Sequence, residues 1–294
     1  MKKYTIILPI VLFIASCTPE LQSKHLTYKN IAIVSDLSSR LRNNQQPQED
    51  ISEIQRIIQF FKKECVKPGE KIGDKSSISF STFSAQEILS IDLEKIKNLG
   101  DKQSFINSTG KFKSLGLDSE LVNFEKQVKS IYRNVSNPGL DLISLLIEKV
   151  DNQDIIKTGK YISDGIDTTY INYDNEVYIF TDGYLEYNSS NKQKNSQYYF
   201  GNAEIEKVRK FCQTHKVDVI TALKNNDSLG LPLAKGKKNG FINLHILETA
   251  ERDKDAKFNT YKYPKDLRDN EILEAVWRKW AKDSGFKSLE WKKS

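Results

Sequence analysis

Two short apolar runs, Ile31-Ala32-Ile33-Val34 and Val177-Tyr178-Ile179-Phe180, constrain this chain more than any other feature. Neither alternates with polar residues, so each reads as a buried strand. Each runs into a polar turn that carries an aspartate. Ser35-Asp36 follows the first run and Thr181-Asp182-Gly183 follows the second.

Helical periods lie between the runs. Ile51, Ile54, Ile57, Ile58, Phe60 and Phe61 recur at helical spacing, with Glu49 and Asp50 at the positive end of the helix dipole and Lys67-Pro68-Gly69 as its stop. Ser77 to Phe83 alternates as a half-buried strand. Residues 92–118 carry weak periodicity and read as an irregular insertion. Leu121, Phe124, Val128 and Ile131 make the next helix, and Gly139-Leu140-Asp141 opens another with Leu142, Leu145, Leu146 and Val150 inward. Residues 151–175 read as a loop and 203–215 as a helix. Val217–Leu223 and Gly240–Leu247 read as strands. The last helix begins near Asp269-Asn270, and Trp277 and Trp280 belong to its core face. Strands alternating with helices predict an α/β fold: a doubly wound, mostly parallel, Rossmann-like sheet with helices on both faces. Ligands of such sheets bind beyond the carboxyl ends of the strands. Asp36 and Asp182 are therefore expected at one end of the sheet.

The N-terminus has a different character. Lys2 and Lys3 precede an apolar run from Ile6 to Ile14, and Ile14-Ala15-Ser16-Cys17 follows. This is the pattern of a secretory signal, and the run is too short to span a bilayer. The cysteine behind small residues resembles the lipobox of bacterial lipoproteins, which implies acylation of Cys17. The expected layout is a signal peptide over 1–16, a tether over 17–28, a single domain over 29–285 and a tail over 286–294. The expected location is the bacterial cell envelope, at the outer rather than the inner membrane, with the membrane reached through lipid on Cys17. Formal net charge is +6, two of it on Lys2 and Lys3, and no dense basic block interleaves with aromatics. Nucleic acid is therefore excluded as a partner. Cys65 and Cys212 read as buried free thiols near helix ends, although an envelope compartment permits a disulfide. His25, His215 and His245 are too scattered for a zinc cluster.

Val34-Ser35-Asp36-Leu37-Ser38-Ser39-Arg40 together with Phe180-Thr181-Asp182-Gly183 resembles the von Willebrand factor type A (VWA) domain. That family's metal-ion-dependent adhesion site takes Asp-x-Ser-x-Ser after the first strand, a Thr from a later loop, and an Asp after the fourth strand. The resemblance covers residues 29–285 and implies Asp36, Ser38 and Asp182 as ligands of Mg2+ or Mn2+, hard cations that favour oxygen donors. Two positions depart from the pattern. Arg40 stands where the second Ser belongs, and Leu140 where the Thr belongs, with Asp141 next to it. The departures favour a degenerate site with no metal cofactor. They also leave two orientations open for Arg40: pairing with Asp36 or Asp182 in the cation's place, or pointing to solvent. Asp141 and Tyr184 are expected on a binding rim, with others of Tyr161, Tyr170, Tyr173 and Tyr187 contributing around Asp182 and Tyr178 structural within its strand.

The function implied is a lipid-anchored, non-enzymatic binding domain whose partner is an unknown protein or ligand. Two alternatives stand beside it. Asp36 could be the nucleophile of a phosphatase similar to the haloacid dehalogenases, although Ser38 occupies the place of their second aspartate. The chain could also be a structural lipoprotein without a ligand.

Overall fold

In a computed structural model, Ile31 and Ile33 face one hydrophobic core and Ala32 and Val34 face another. The structure describes residues 23–42, 46–69, 73–84, 88–133, 139–152, 155–163, 167–187, 197–249, 252–255, 257–263 and 266–293. The apolar runs lack alternation because helices cover both faces of their sheet.

Strand β1 (Ser23–Ser35) leads to α1 (Gln46–Phe60), which continues as a wider turn over Phe61–Val66. Strands β2 (Ser77–Thr82) and β3 (Leu89–Asp92) follow, then α2 (Leu99–Ile106), α3 (Leu117–Tyr132) and α4 (Leu142–Asn152). Next come β4 (Lys160–Ser163), β5 (Thr168–Phe180), α5 (Asn202–His215), α6 (Val219–Asn225) and β6 (Ile242–Thr249). A small hairpin, β7 (Lys254–Asp255) with β8 (Thr260–Tyr261), precedes α7 (Asp269–Asp283) and β9 (Ser288–Lys293). The main sheet runs β3-β2-β1-β5-β6-β9, and β4 pairs with β5 beside this path. Pairing is parallel except at β3 and β4. Helices α1, α2 and α3 supply one core, and α4, α5, α6 and α7 the other. This is the expected doubly wound α/β fold.

The chain builds outward from β1 to β3, then returns to β5 on the other side of β1. The gap between β1 and β5 is therefore the switch point of the sheet, where ligands of such folds sit. Buried Asn30 donates to the Asn175 side chain across this pair at 2.7 Å and to the Ile155 carbonyl at 2.8 Å, and so pins their register.

Five segments differ from the sequence reading. Residues 23–28, expected in the tether, form the first half of β1. Ser288–Lys293, expected in the tail, is a strand paired to β6. The insertion over 92–118 contains α2, which Asn98 caps by accepting from the Asp101 amide, and the expected loop over 151–175 contains β4 and most of β5. Val217–Leu223 is largely helical rather than extended. Asp218 accepts from the Thr221 amide at 2.9 Å and its hydroxyl at 2.7 Å, and this N-cap overrides the β-branched run behind it.

Cys65 and Cys212 are free and buried in cores on opposite faces of the sheet, so no disulfide joins them. Burial pushes the Cys65 thiol up to about 12. Trp277 and Trp280 are packed edge to face in the core, as expected. Cys17 and the signal segment lie outside the described residues. Among the described residues no helix is long and apolar enough to cross a membrane.

Candidate functional site

Asp36 and Asp182 do come together. The parallel β1–β5 ladder ends at Ser35 opposite Phe180, and the Asp36 amide donates to the Phe180 carbonyl at 2.9 Å. Both aspartates are nearly covered, 4% and 2% exposed. Ser38 Oγ donates to Asp36 Oδ2 at 2.9 Å, which completes the predicted trio.

Burial raises the Asp36 carboxyl to about 6; the Arg40 guanidinium opposes that rise and the Asp182 charge adds to it. A raised carboxyl pKa means that the folded state holds the proton more tightly than the unfolded chain. Stability from this group is thus complete below the unfolded value of 3.8 and is lost as pH climbs towards about 6. Asp36→Asn is expected to stabilise the domain by about 2–3 kcal/mol at neutral pH and to give little gain at the acid end of that window. Urea unfolding of both proteins at the two pH values checks this. An equal gain at both would contradict it.

Arg40 does neither of the things left open for it. Its guanidinium is buried and pairs with Asp50, through Nη1 to Oδ1 at 3.1 Å and Nη2 to Oδ2 at 2.5 Å. It also donates from Nε to the Asp36 carbonyl at 3.0 Å and from Nη2 to the Phe180 carbonyl at 3.3 Å. Tyr132 OH donates to Asp50 Oδ2 at 2.9 Å and lies 2.6 Å from Ser35 Oγ. The cation therefore lies beneath the strand ends and ties β1, β5, α1 and α3 together. Asp50 looked like a dipole-capping acid at a helix start; it is the buried counter-ion of Arg40.

A second arginine takes the place that Arg40 leaves. Arg252 donates from Nε to Asp182 Oδ2 at 2.8 Å and again from Nη2, while Nη1 reaches Glu186 Oε2 at 2.5 Å. Its guanidinium lies 3.9 Å from the centre of the Tyr184 ring. Tyr184 OH in turn donates to Asp269 Oδ2 at 3.1 Å, and Asp269 is ion-paired with Arg209.

The rim assignments need correction. Tyr184 is 3% exposed and Asp141 1%, so neither offers a surface to a partner. Asp141 caps α4 by accepting from the Ser144 amide at 3.0 Å and hydroxyl at 2.8 Å, and it accepts the Gln197 and Tyr198 amides at 2.8 and 3.2 Å. Leu140 packs against the core and brings no oxygen to the Thr position. Tyr161 and Tyr170 lie at the opposite end of β5 from Asp182. Tyr173 donates to Glu94, and Tyr178 stacks on His245 within the sheet.

The turn that carries Asp182 has a steric requirement. Gly183 sits at φ +86°, and a Cβ there would lie 2.7 Å from the Trp291 ring. Its carbonyl accepts from Trp277 Nε1 at 2.8 Å. Gly183→Ala is expected to cost about 3 kcal/mol, from the left-handed backbone and from overpacking. The urea midpoint reads that loss, and a cost below about 1 kcal/mol would show that the turn relaxes freely.

The residues present do not fit a divalent cation. Ser38 is engaged with Asp36, Asp182 with Arg252, and the two remaining motif positions are Arg40 and Leu140. Among the described residues no group of three or more His, Cys, Asp or Glu side chains assembles that could hold a metal ion. Arg252 was missed at the sequence level because it meets Asp182 across 70 residues, a pairing that leaves no local spacing or period. No family model matches this chain, and no curated protein matches it either.

Proposed function

We propose that this chain is a lipid-anchored protein of the bacterial cell envelope. Its VWA-like domain binds a protein partner at the carboxyl ends of β1 and β5 without a metal ion. One observation carries the reading: the Arg252 guanidinium grips Asp182 where the motif would place a cation. Both aspartates are covered, and among the described residues Arg252 and Glu186 are charged groups that reach solvent at this end, with side chains 36% and 32% exposed. A paired charge at a switch point supplies orientation and selectivity at a docking face.

A photoreactive amino acid at Glu186 in the full chain, activated in intact cells, tests this. The expected result is one discrete cross-linked species that persists when EDTA is added and is absent when the probe sits at Leu99, which is 70% exposed on α2. No adduct from position 186, or an adduct abolished by the chelator, would overturn the proposal. A phosphatase assay with Asp36→Asn as control addresses the enzymatic alternative, and no activity above that control is expected.

A further inference from the structure

The sheet has a second end, and it carries side chains that the proposed site does not use. The first residues of β1 and β5 run past the helices together with β4 as a narrow three-stranded ribbon. The ribbon tip is largely open to solvent. Tyr161 on β4, Tyr170 on β5 and His25 on β1 are in register across it. The Tyr170 ring stacks on His25 at 4.7 Å and lies 6.4 Å from Tyr161. Tyr161 is 71% exposed, Tyr170 40%, and Ile162, on the other face, 55%. A row of aromatic rings backed by isoleucine is costly to leave in water. Rings with polar tips are the side chains that settle at the headgroup level of a bilayer.

The course of the chain says what covers the row. Ser23 opens β1 at this tip, and Cys17 stands six residues earlier. A chain of that length spans at most about 20 Å. If Cys17 carries the lipid, as the proposed function holds, the bilayer surface lies within that distance of the ribbon. We propose that the ribbon tip rests in the headgroup layer of the membrane, with Tyr161, Tyr170, His25 and Ile162 as its contacts. Ten residues of β5 separate Tyr170 from Phe180, about 33 Å of strand. The sheet then stands on the membrane by one end and presents Arg252 and Glu186 at the other.

The test uses the full chain purified from membranes and reconstituted in vesicles of phosphatidylethanolamine and phosphatidylglycerol. An environment-sensitive dye is attached in turn to Tyr161→Cys, to Ile162→Cys and to Tyr199→Cys, the last an exposed residue near the binding end. Emission is expected to shift to the blue and to be quenched by brominated lipid at 161 and 162 but not at 199. Separately, detergent-phase partition of wild type against Cys17→Ser reads the anchor. Wild type that enters the detergent phase but gives the same emission at all three positions overturns the ribbon contact and leaves the anchor standing. Wild type that stays in the aqueous phase overturns the anchor, and the membrane contact of the ribbon with it.

Discussion

Arg40→Ala is expected to lower the unfolding free energy by about 3–5 kcal/mol, among the largest single losses available in this domain. The two partners are almost wholly buried, with side chains 2% and 0% exposed. Removing the guanidinium leaves the Asp50 carboxylate in the interior with the Tyr132 hydroxyl as its remaining strong donor. An uncompensated buried charge costs far more than the pair contributes when intact. Asp50→Ala should cost a similar amount by stranding Arg40. Changing both together, Arg40→Met with Asp50→Leu, should recover most of the loss, because neither charge then remains to be desolvated. Urea unfolding of wild type, Arg40→Met, Asp50→Leu and the double variant forms the double-mutant cycle. Additive losses would show that the two residues act independently and that the pair does not join β1 to α1.

The second large effect is a gain. Arg252→Ala exposes Asp182 beside Asp36 and removes the positive charge that repels an incoming ion. Mn2+ affinity should rise at least about tenfold, equivalent to ~1.4 kcal/mol, over a wild type that takes up little. Loss of the free-ion paramagnetic resonance signal measures this directly. Arg252→Lys should stay close to wild type, since it keeps the charge although it loses the planar fork. Equal and weak uptake by all three proteins would mean that Arg252 is not what keeps the ion out. The reason would then lie in Arg40 and Leu140, the departures visible in the motif.

The parts of the fold that could be read from the sequence are those governed by local pattern. Ile31–Val34 and Val177–Phe180 reveal buried parallel strands because a strand covered on both faces has no polar alternation. The two aspartates could be placed together because each follows such a strand, and parallel strands in one sheet end on the same side. The parts that could not be read depend on distant partners. Thr168–Asp174 contains little apolar sequence, yet it is a strand because β1 and β4 flank it. Val219 to Asn225 is helical because Asp218 caps it. Arg252 stands among alternating charges, and its contacts with Asp182, Glu186 and Tyr184 form only when the fold brings together residues far apart in the chain. Asp50 reads as an acid at a helix start, and Arg40 as a charge facing either Asp36 and Asp182 or solvent, until the fold pairs the two beneath the strand ends.

The proposal of binding without a metal rests on the contact between Arg252 and Asp182, and a crystal of the wild-type protein soaked in magnesium chloride tests that contact most directly. The account predicts Arg252 Nε and Nη2 on Asp182 Oδ2, with no ion between Asp182 and Asp36. An octahedral ion bridging the two carboxylates, with the guanidinium swung out to solvent, would contradict it.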